Sequence, residues 1–221
     1  APVAPGPMKF EEFLGYVHPD DRAAVRDSFR ALWNGSVDVL ECEFRVGQAS
    51  GRWVWILCRG KTNARGIQGQ KLGAAGFALD ISARKEASDL LNLQGAALEW
   101  AANAMMITRP EGTIEWVNPA FEDLTGYSSE EAIGKNPRIL KSGRHSDDFY
   151  RNLWLTISDG RVWSGELINR RKDGALYYEE KTLTPIRNKS GEVTHLVSTG
   201  KDVSERVLGQ EKLHHLAHHD H

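Results

Sequence analysis

Glu166-Leu167-Ile168 through Asp173-Gly174, then Leu176-Tyr177-Tyr178, restates Glu43-Phe44-Arg45 through Ser50-Gly51, then Trp53-Val54-Trp55. Each block runs on into a second strand-like run, a turn carrying glycine (Gly69 or Gly191), a third run, and an Asp-aliphatic-Ser ending, Asp80-Ile81-Ser82 or Asp202-Val203-Ser204. Gly51 and Gly174 lie 123 residues apart, and Asp80 and Asp202 lie 122 apart. One residue of drift over a whole block indicates duplication of a small domain. The period exceeds the roughly 20–50 residues of solenoid repeats, so each copy can bury a core of its own. Duplication without a duplicated catalytic group points to sensing or coupling.

The 221 residues are 40% hydrophobic and 26% charged, an ordinary globular composition. A net charge of −2 supplies no field to attract nucleic acid or an anionic membrane, and neither is expected as a partner. No apolar run approaches the ~18 residues a membrane span needs, and the first residues carry no signal-peptide pattern. The expected location is the cytoplasm. Cys42 and Cys58 fall inside expected strands without CxxC spacing. They read as buried thiols of a reducing compartment, with a cross-strand pair left open.

Residues 1–7 are rich in Pro and Ala and are expected to be extended. A short amphipathic turn follows from Phe10 to Tyr16. His18-Pro19-Asp20-Asp21 starts a helix that places Val25, Phe29 and Leu32-Trp33 on one face and stops at Asn34-Gly35. Val39 opens three strands of an antiparallel meander, the third running from Gly73 to Leu79. Ser82 to about Asn103 has helical composition. Leu90, Leu93, Ala97 and Trp100 recur there at alternating three- and four-residue spacing, which fits a packed helix and a partner-facing coil equally.

The second copy is longer at its front. A hairpin is expected around Pro110-Glu111-Gly112, then short helices opened by Asn118-Pro119 and by Ser128-Ser129-Glu130-Glu131. A longer helix begins at Asp147 and ends at Asp159-Gly160. Strands over Trp163–Arg170, Ala175–Ile186 and Val193–Gly200 and a final helix from Ser204 complete it. The expected fold class is α+β, two domains of antiparallel five-stranded sheet with short helices on one face, the first truncated at its N-terminus. The expected boundaries are a partial first domain over 1–82, a helical linker over 83–98, a complete second domain over 99–204 and an output helix over 205–221.

Several strings in the chain resemble the PAS family of sensory domains. They are Ile114-Glu115-Trp116-Val117-Asn118-Pro119-Ala120-Phe121, Leu124-Thr125-Gly126-Tyr127, Gly134-Lys135-Asn136-Pro137, Trp163 through Gly174 and Asp202-Val203-Ser204-Glu205. The resemblance covers about residues 98–206. A weaker one covers about residues 10–85, through Val17-His18-Pro19-Asp20-Asp21 and Asp80-Ile81-Ser82-Ala83-Arg84-Lys85. The tail from Leu213 to His221 resembles the segment leading into a diguanylate cyclase (GGDEF) domain of bacterial signalling proteins, and a sensor histidine kinase is the other parent considered.

The resemblance implies a pocket between sheet and helices in the second copy, with Asn169, Trp163, Glu179 and Asn136 as its candidate residues. In flavin-binding members an Asn at the place of Asn169 faces the flavin. A second flavin-facing Asn falls at Glu179, and a Gln falls at about Gly200. Light-sensing members carry a reactive cysteine where this chain has Pro137, so a cysteinyl photoadduct is excluded. The cofactor is left unknown, none or FAD. Haem would need an axial histidine, and His145 reads instead as part of a solvated polar loop. Within the tail, His214/His218 and His215/His219 stand at i, i+4 but lack the Glu of an HExxH pattern, so no metal site is expected. Lys141 and Arg144 beside Gly143 lack a phosphate loop, and no catalytic triad or paired carboxylates can be assembled.

Asp80 and Asp202 with Ser204 are the expected signal-transmission residues. Each Asp stands where a last strand passes into an exiting helix, whose N-terminus its carboxylate can cap. The expected function is that of a non-enzymatic sensory fragment. A small molecule, a redox change or a binding partner would act through dimeric helices on a C-terminal effector domain, with cyclic-di-GMP synthesis as its output. A ligand-free dimerisation or docking module is the alternative, favoured by the bulk of Met105, Met106, Trp116 and Phe121.

Overall fold

The computed structural model describes residues 9–65 and 71–219. The expected extended start over 1–7 and the Gly69 turn lie outside the described residues. The chain divides into two compact units, one ending at Leu93 and the other beginning at Gln94.

In the first unit α1 (Phe10–Tyr16) and a single 3-10 turn (Pro19–Asp21) lead into α2 (Arg22–Asn34). Helix α2 stops at Gly35, whose φ of 86° is the left-handed conformation that glycine adopts without strain. Strands β1 (Val39–Gly47), β2 (Trp53–Arg65) and β3 (Lys71–Asp80) form an antiparallel sheet in the order β1-β2-β3. Val25 of α2 packs with Leu14, Val17 and Phe44 over this sheet. The Arg45 guanidinium forks onto Asp21, Nη2 to Oδ1 at 2.7 Å and Nε to Oδ2 at 2.9 Å, fastening the turn to β1. That hydrogen bonding holds the Asp21 carboxyl below its ordinary pKa. Among the described residues this unit has the three strands of the expected meander.

Helix α3 (Ser82–Glu99) follows. It ends four residues earlier than its composition suggests, because Asn118 captures the next carbonyls. The Asn118 amide donates to Asn103 O at 3.0 Å and to Ala101 O at 3.3 Å. Its Oδ1 accepts from the amides of Met105 at 2.7 Å and Phe121 at 3.0 Å. Asn118 is thus the N-cap of the next helix and a fully buried pin for the chain entering the sheet.

The second unit comprises β4 (Ala104–Thr108), β5 (Ile114–Val117), α4 (Pro119–Thr125), α5 (Ser129–Ala132), α6 (Asp147–Ser158), β6 (Trp163–Arg170), β7 (Leu176–Arg187), β8 (Val193–Asp202) and α7 (Ser204–His219). All pairings are antiparallel, in the order β5-β4-β8-β7-β6. Ser128 and Glu131 make the reciprocal capping box their spacing announces. Met106, Ile114, Val117, Phe121 and Leu140 form one apolar cluster, and Leu153, Ile157 and Leu196 form another with Trp163 against it. Burying each such side chain stabilises the fold by about 1.5–3 kcal/mol. No helix among the described residues is long and apolar enough to cross a membrane.

The sequence repeat recurs atom for atom where each last strand meets its exiting helix. In the first unit Ile81 N–H donates to Trp55 O, Trp55 N–H donates to Ser82 Oγ, and Ser82 N–H donates to Asp80 Oδ1. In the second, Val203 N–H donates to Tyr178 O, Tyr178 N–H to Ser204 Oγ, and Ser204 N–H to Asp202 Oδ1.

Candidate functional site

Between the sheet and the helices of the second unit lies a cavity of about 370 Å³. Its apolar wall includes Met106 of β4, Leu153 and Ile157 of α6, Leu167 of β6 and Leu196 of β8. Asn136, Arg138 and Lys141 also line it, from the segment between α5 and α6. Asn136 accepts the Arg138 amide at 3.1 Å, which opens a 3-10 turn through Pro137 and explains an asparagine there.

Polar groups meet the cavity on the sheet side. Strand β7 turns Tyr177, Glu179 and Lys181 inward, because alternate residues of a strand share a face. Asn169 Nδ2 donates to Glu179 Oε2 at 2.6 Å, and Lys181 Nζ donates to Glu179 Oε1 at 2.9 Å. The three residues are 5%, 2% and 8% exposed. A buried carboxylate persists only when paired and hydrogen-bonded, and here both oxygens are engaged. Asn169 and Lys181 line the cavity, with Glu179 bridging them. The Asn169 carbonyl, the remaining Lys181 protons and the buried Ser198 hydroxyl leave donors and acceptors together on one wall.

Gly200 of β8 is part of this arrangement. A Cβ at that position would collide with Glu179 Oε1, so the glycine supplies the room in which the carboxylate lies. Glu179 and Gly200 are therefore coupled in space, the missing side chain of one leaving room for the carboxylate of the other. The Tyr177 ring is fully buried, and burial followed by the Glu179 charge pushes its phenol pKa up.

Arg171, just past β6, reaches from this wall to the exit joint. Its guanidinium stands 4.8 Å from the Tyr177 ring centre, donates to Leu124 O, and pairs with Asp202 Oδ2 at 2.7 Å. Burial pushes the Asp202 carboxyl up, but Ser204 and Arg171 together hold it below its ordinary pKa. Asp80 is also lowered, first by the Ser82 amide.

Of the sequence candidates, Asn169 and Asn136 line the cavity, Glu179 is bonded to two residues that line it, and Trp163 is not part of the lining. Trp163 packs beside Leu153 and Ile157 and covers Gly165, whose missing Cβ leaves room for the indole. His145 is half-buried instead of solvated. Its Nε2 accepts the Ile168 amide at 2.7 Å while its ring stacks on Phe149 at 4.3 Å. Ser142 donates to the Ile168 carbonyl, so the loop covers both hydrogen-bonding groups of one residue of the edge strand β6. That nitrogen is committed to the backbone, which argues against haem ligation. Lys181 and Arg171 were missed. The alternation Tyr177, Glu179, Lys181 was the available signal for the first, whereas an arginine beside a turn carries none.

Among the described residues no three His, Cys, Asp or Glu side chains gather as a metal site. The histidine side chains of the tail lie outside that description. Asn169, Lys181 and Ser198 give the otherwise apolar lining one hydrogen-bonding wall.

Residues 102–205 match the family model described as PAS domain, and residues 6–78 match another described as PAS fold. A nitrogen fixation regulatory protein of Klebsiella oxytoca is 34% identical over 116 residues, 52% of this chain and 23% of its own. A bacterioopsin transcriptional activator of Halobacterium salinarum is 34% identical over 142 residues, 61% of this chain and 21% of its own. A blue-light-activated histidine kinase of Brucella abortus is 31% identical over 123 residues, 53% of this chain and 25% of its own. The chain thus spans a quarter or less of the length of these relatives. Among solved structures, an RNA-binding light-oxygen-voltage receptor aligns with a TM-score of 0.54 at 17% identity, over 96% of this chain and 91% of that one. A PAS domain of a protein from Colwellia psychrerythraea aligns with a TM-score of 0.50 at 24% identity, over 53% of this chain and 99% of that one. These structural likenesses are likenesses of fold.

Proposed function

With two PAS domains in tandem, a sensory and non-catalytic architecture, we propose that this chain couples a small molecule in the second cavity to a C-terminal effector of the same protein. The observation that carries this reading is the double duty of residues 177–179. Tyr177 and Glu179 belong to the buried wall, and Tyr178 between them holds both Val203 and Ser204 at the start of α7. A ligand that draws Lys181 or Asn169 away from Glu179 would shift this strand and with it the joint. It can do so only by its differential affinity for two arrangements, typically about 1–3 kcal/mol of coupling.

The ligand class is a small, largely apolar planar molecule with donors and acceptors on one edge; FAD is the coloured candidate. Purified protein is tested by its absorption spectrum and by mass spectrometry of a denatured extract. A flavin band in the blue, or a stoichiometric colourless molecule of this class, supports the reading. A Soret band would contradict it. Protein that carries nothing and binds no such molecule leaves the ligand-free docking module, against which the open cavity stands.

The output path is the helix pair. Leu90 and Leu93 on α3 are 54% and 66% exposed, which supports parallel dimerisation through α3 and α7. Sedimentation across a concentration range tests this, and a monomer at high concentration argues against it. A kinase or regulatory output accords with the names of the relatives, and a diguanylate cyclase output accords with the tail from Leu213 to His221. Joining the chain to each effector and measuring phosphotransfer or cyclic-di-GMP separates the two.

A further inference from the structure

The first unit holds a feature that the sensory reading of the second leaves unused. Cys42 of β1 and Cys58 of β2 are direct cross-strand partners. Facing residues of an antiparallel pair share one side of the sheet, with Cα atoms about 4.5–5.5 Å apart, inside the ~4.4–6.8 Å window of a disulfide. Both cysteines are free thiols, and both pack half-buried against the cluster of Leu14, Val17, Val25 and Phe44. An apolar hollow of about 890 Å³ lies over this side of the sheet, and Cys58 lines it beside Phe13, Phe29 and Ile56. One sulfur is therefore open to a small reactant, and the second waits across the strand.

We propose that Cys42 and Cys58 form a thiol–disulfide exchange site that closes into an intramolecular disulfide on reaction with a low-molecular-weight disulfide. Cys58 attacks as the thiolate. The reagent's S–S bond breaks, one half leaves as a thiolate that takes up a proton, and the other half stays on Cys58 as a mixed disulfide. Cys42 then gives up its proton and attacks the Cys58 sulfur, forming the Cys42–Cys58 bond and expelling the second half as a thiol. The protein dithiol loses two electrons and two protons, and one molecule of disulfide becomes two of thiol.

Roles follow from placement. Cys58 is the cysteine that reaches the hollow, and the facing Cys42 thiol lowers the Cys58 pKa while its own is raised by the same interaction. A thiolate present at neutral pH is the competent nucleophile. Because β1 and β2 already hold the partners face to face, ring closure is intramolecular and outruns a second external attack. A two-cysteine metal site is not favoured, since no third His, Cys, Asp or Glu joins the pair among the described residues. The bond would fasten β1 to β2 on the side where Phe44 packs, which gives the first unit a redox input independent of any ligand in the second.

The full chain is equilibrated with mixtures of reduced and oxidised glutathione, quenched with acid, alkylated and mapped by mass spectrometry. The expected result is loss of both alkylatable thiols without gain of glutathione, and one peptide pair linking Cys42 to Cys58. Cys42→Ser should trap one glutathione on Cys58, whereas Cys58→Ser should take up glutathione at Cys42 several-fold more slowly. Thiols that stay reduced in the most oxidising mixture would overturn the proposal. So would a separate glutathione on each cysteine of the unsubstituted chain, or a disulfide that joins two chains.

Discussion

Ser204 closes onto Tyr178, its Oγ accepting the Tyr178 amide at 2.9 Å while Asp202 Oδ1 accepts the Ser204 amide at 2.8 Å. Removing this hydroxyl should loosen the exit of the second domain without touching its cavity. Ser204→Ala is expected to cost about 1 kcal/mol or more, the usual effect of leaving a part-buried backbone donor without its hydrogen bond. Chemical denaturation reads the loss, and the Tyr178 amide should exchange with solvent faster than in the unsubstituted chain. A variant of unchanged stability and exchange would show that the joint is ornamental.

Gly200 and Glu179 should behave as one unit. Gly200→Ala pushes a methyl into the space of the carboxylate and should destabilise by about 1–3 kcal/mol, the cost of overpacking a filled site. Shortening the acid first, as Glu179→Ala, should remove most of that penalty. The double-mutant cycle is expected to return about 1 kcal/mol or more of coupling, as contacting residues do. Additive effects would place the two apart.

Lys181→Met leaves Glu179 buried with only the Asn169 amide. Breaking one side of a buried pair costs about 3–5 kcal/mol, whereas replacing both by apolar residues is often nearly neutral. Thermal and denaturant unfolding should therefore find Lys181→Met weaker than Lys181→Met with Glu179→Leu. The reverse order would mean that the carboxylate does not depend on the ammonium.

His145 should make the second domain sensitive to acid. Desolvation lowers its pKa below the ordinary 6.5, and only the neutral ring can accept the Ile168 amide. The folded form thus resists a proton that the unfolded chain accepts. The contribution is whole above the unfolded pKa and declines as pH falls below it toward the lower folded value. His145→Gln, which keeps a neutral acceptor, should flatten the pH dependence of the unfolding midpoint between about pH 7 and 5. An unaltered profile would assign that dependence to other groups.

The fold was legible because its signals are local. Asn34-Gly35, Pro110-Glu111-Gly112 and Ser128–Glu131 each fix a turn or cap by their own chemistry, and the register of the repeat fixed two copies. The site was legible only where family resemblance aligned a residue, as at Asn169 and Glu179. Lys181 acts through Glu179 two residues earlier on the same strand, where the alternation with Tyr177 is the one hint of burial, and Arg171 acts through Asp202, 31 residues away, which nothing beside it announces. Trp163 and His145 were misplaced for a related reason. An indole fits a cavity or a core equally, and a histidine in Ser142-Gly143-Arg144-His145 looks solvated until β6 offers it an amide.

Residue-resolved amide hydrogen exchange on Asn169→Ala and Lys181→Met, compared with the unsubstituted chain, tests the link from cavity to exit helix most directly. The amides of Tyr178, Val203 and Val207 should lose protection in both variants, whereas that of Ile107, on the far side of the sheet, should keep it. Uniform loss across both places, or an exit joint that exchanges as before, would contradict the coupling.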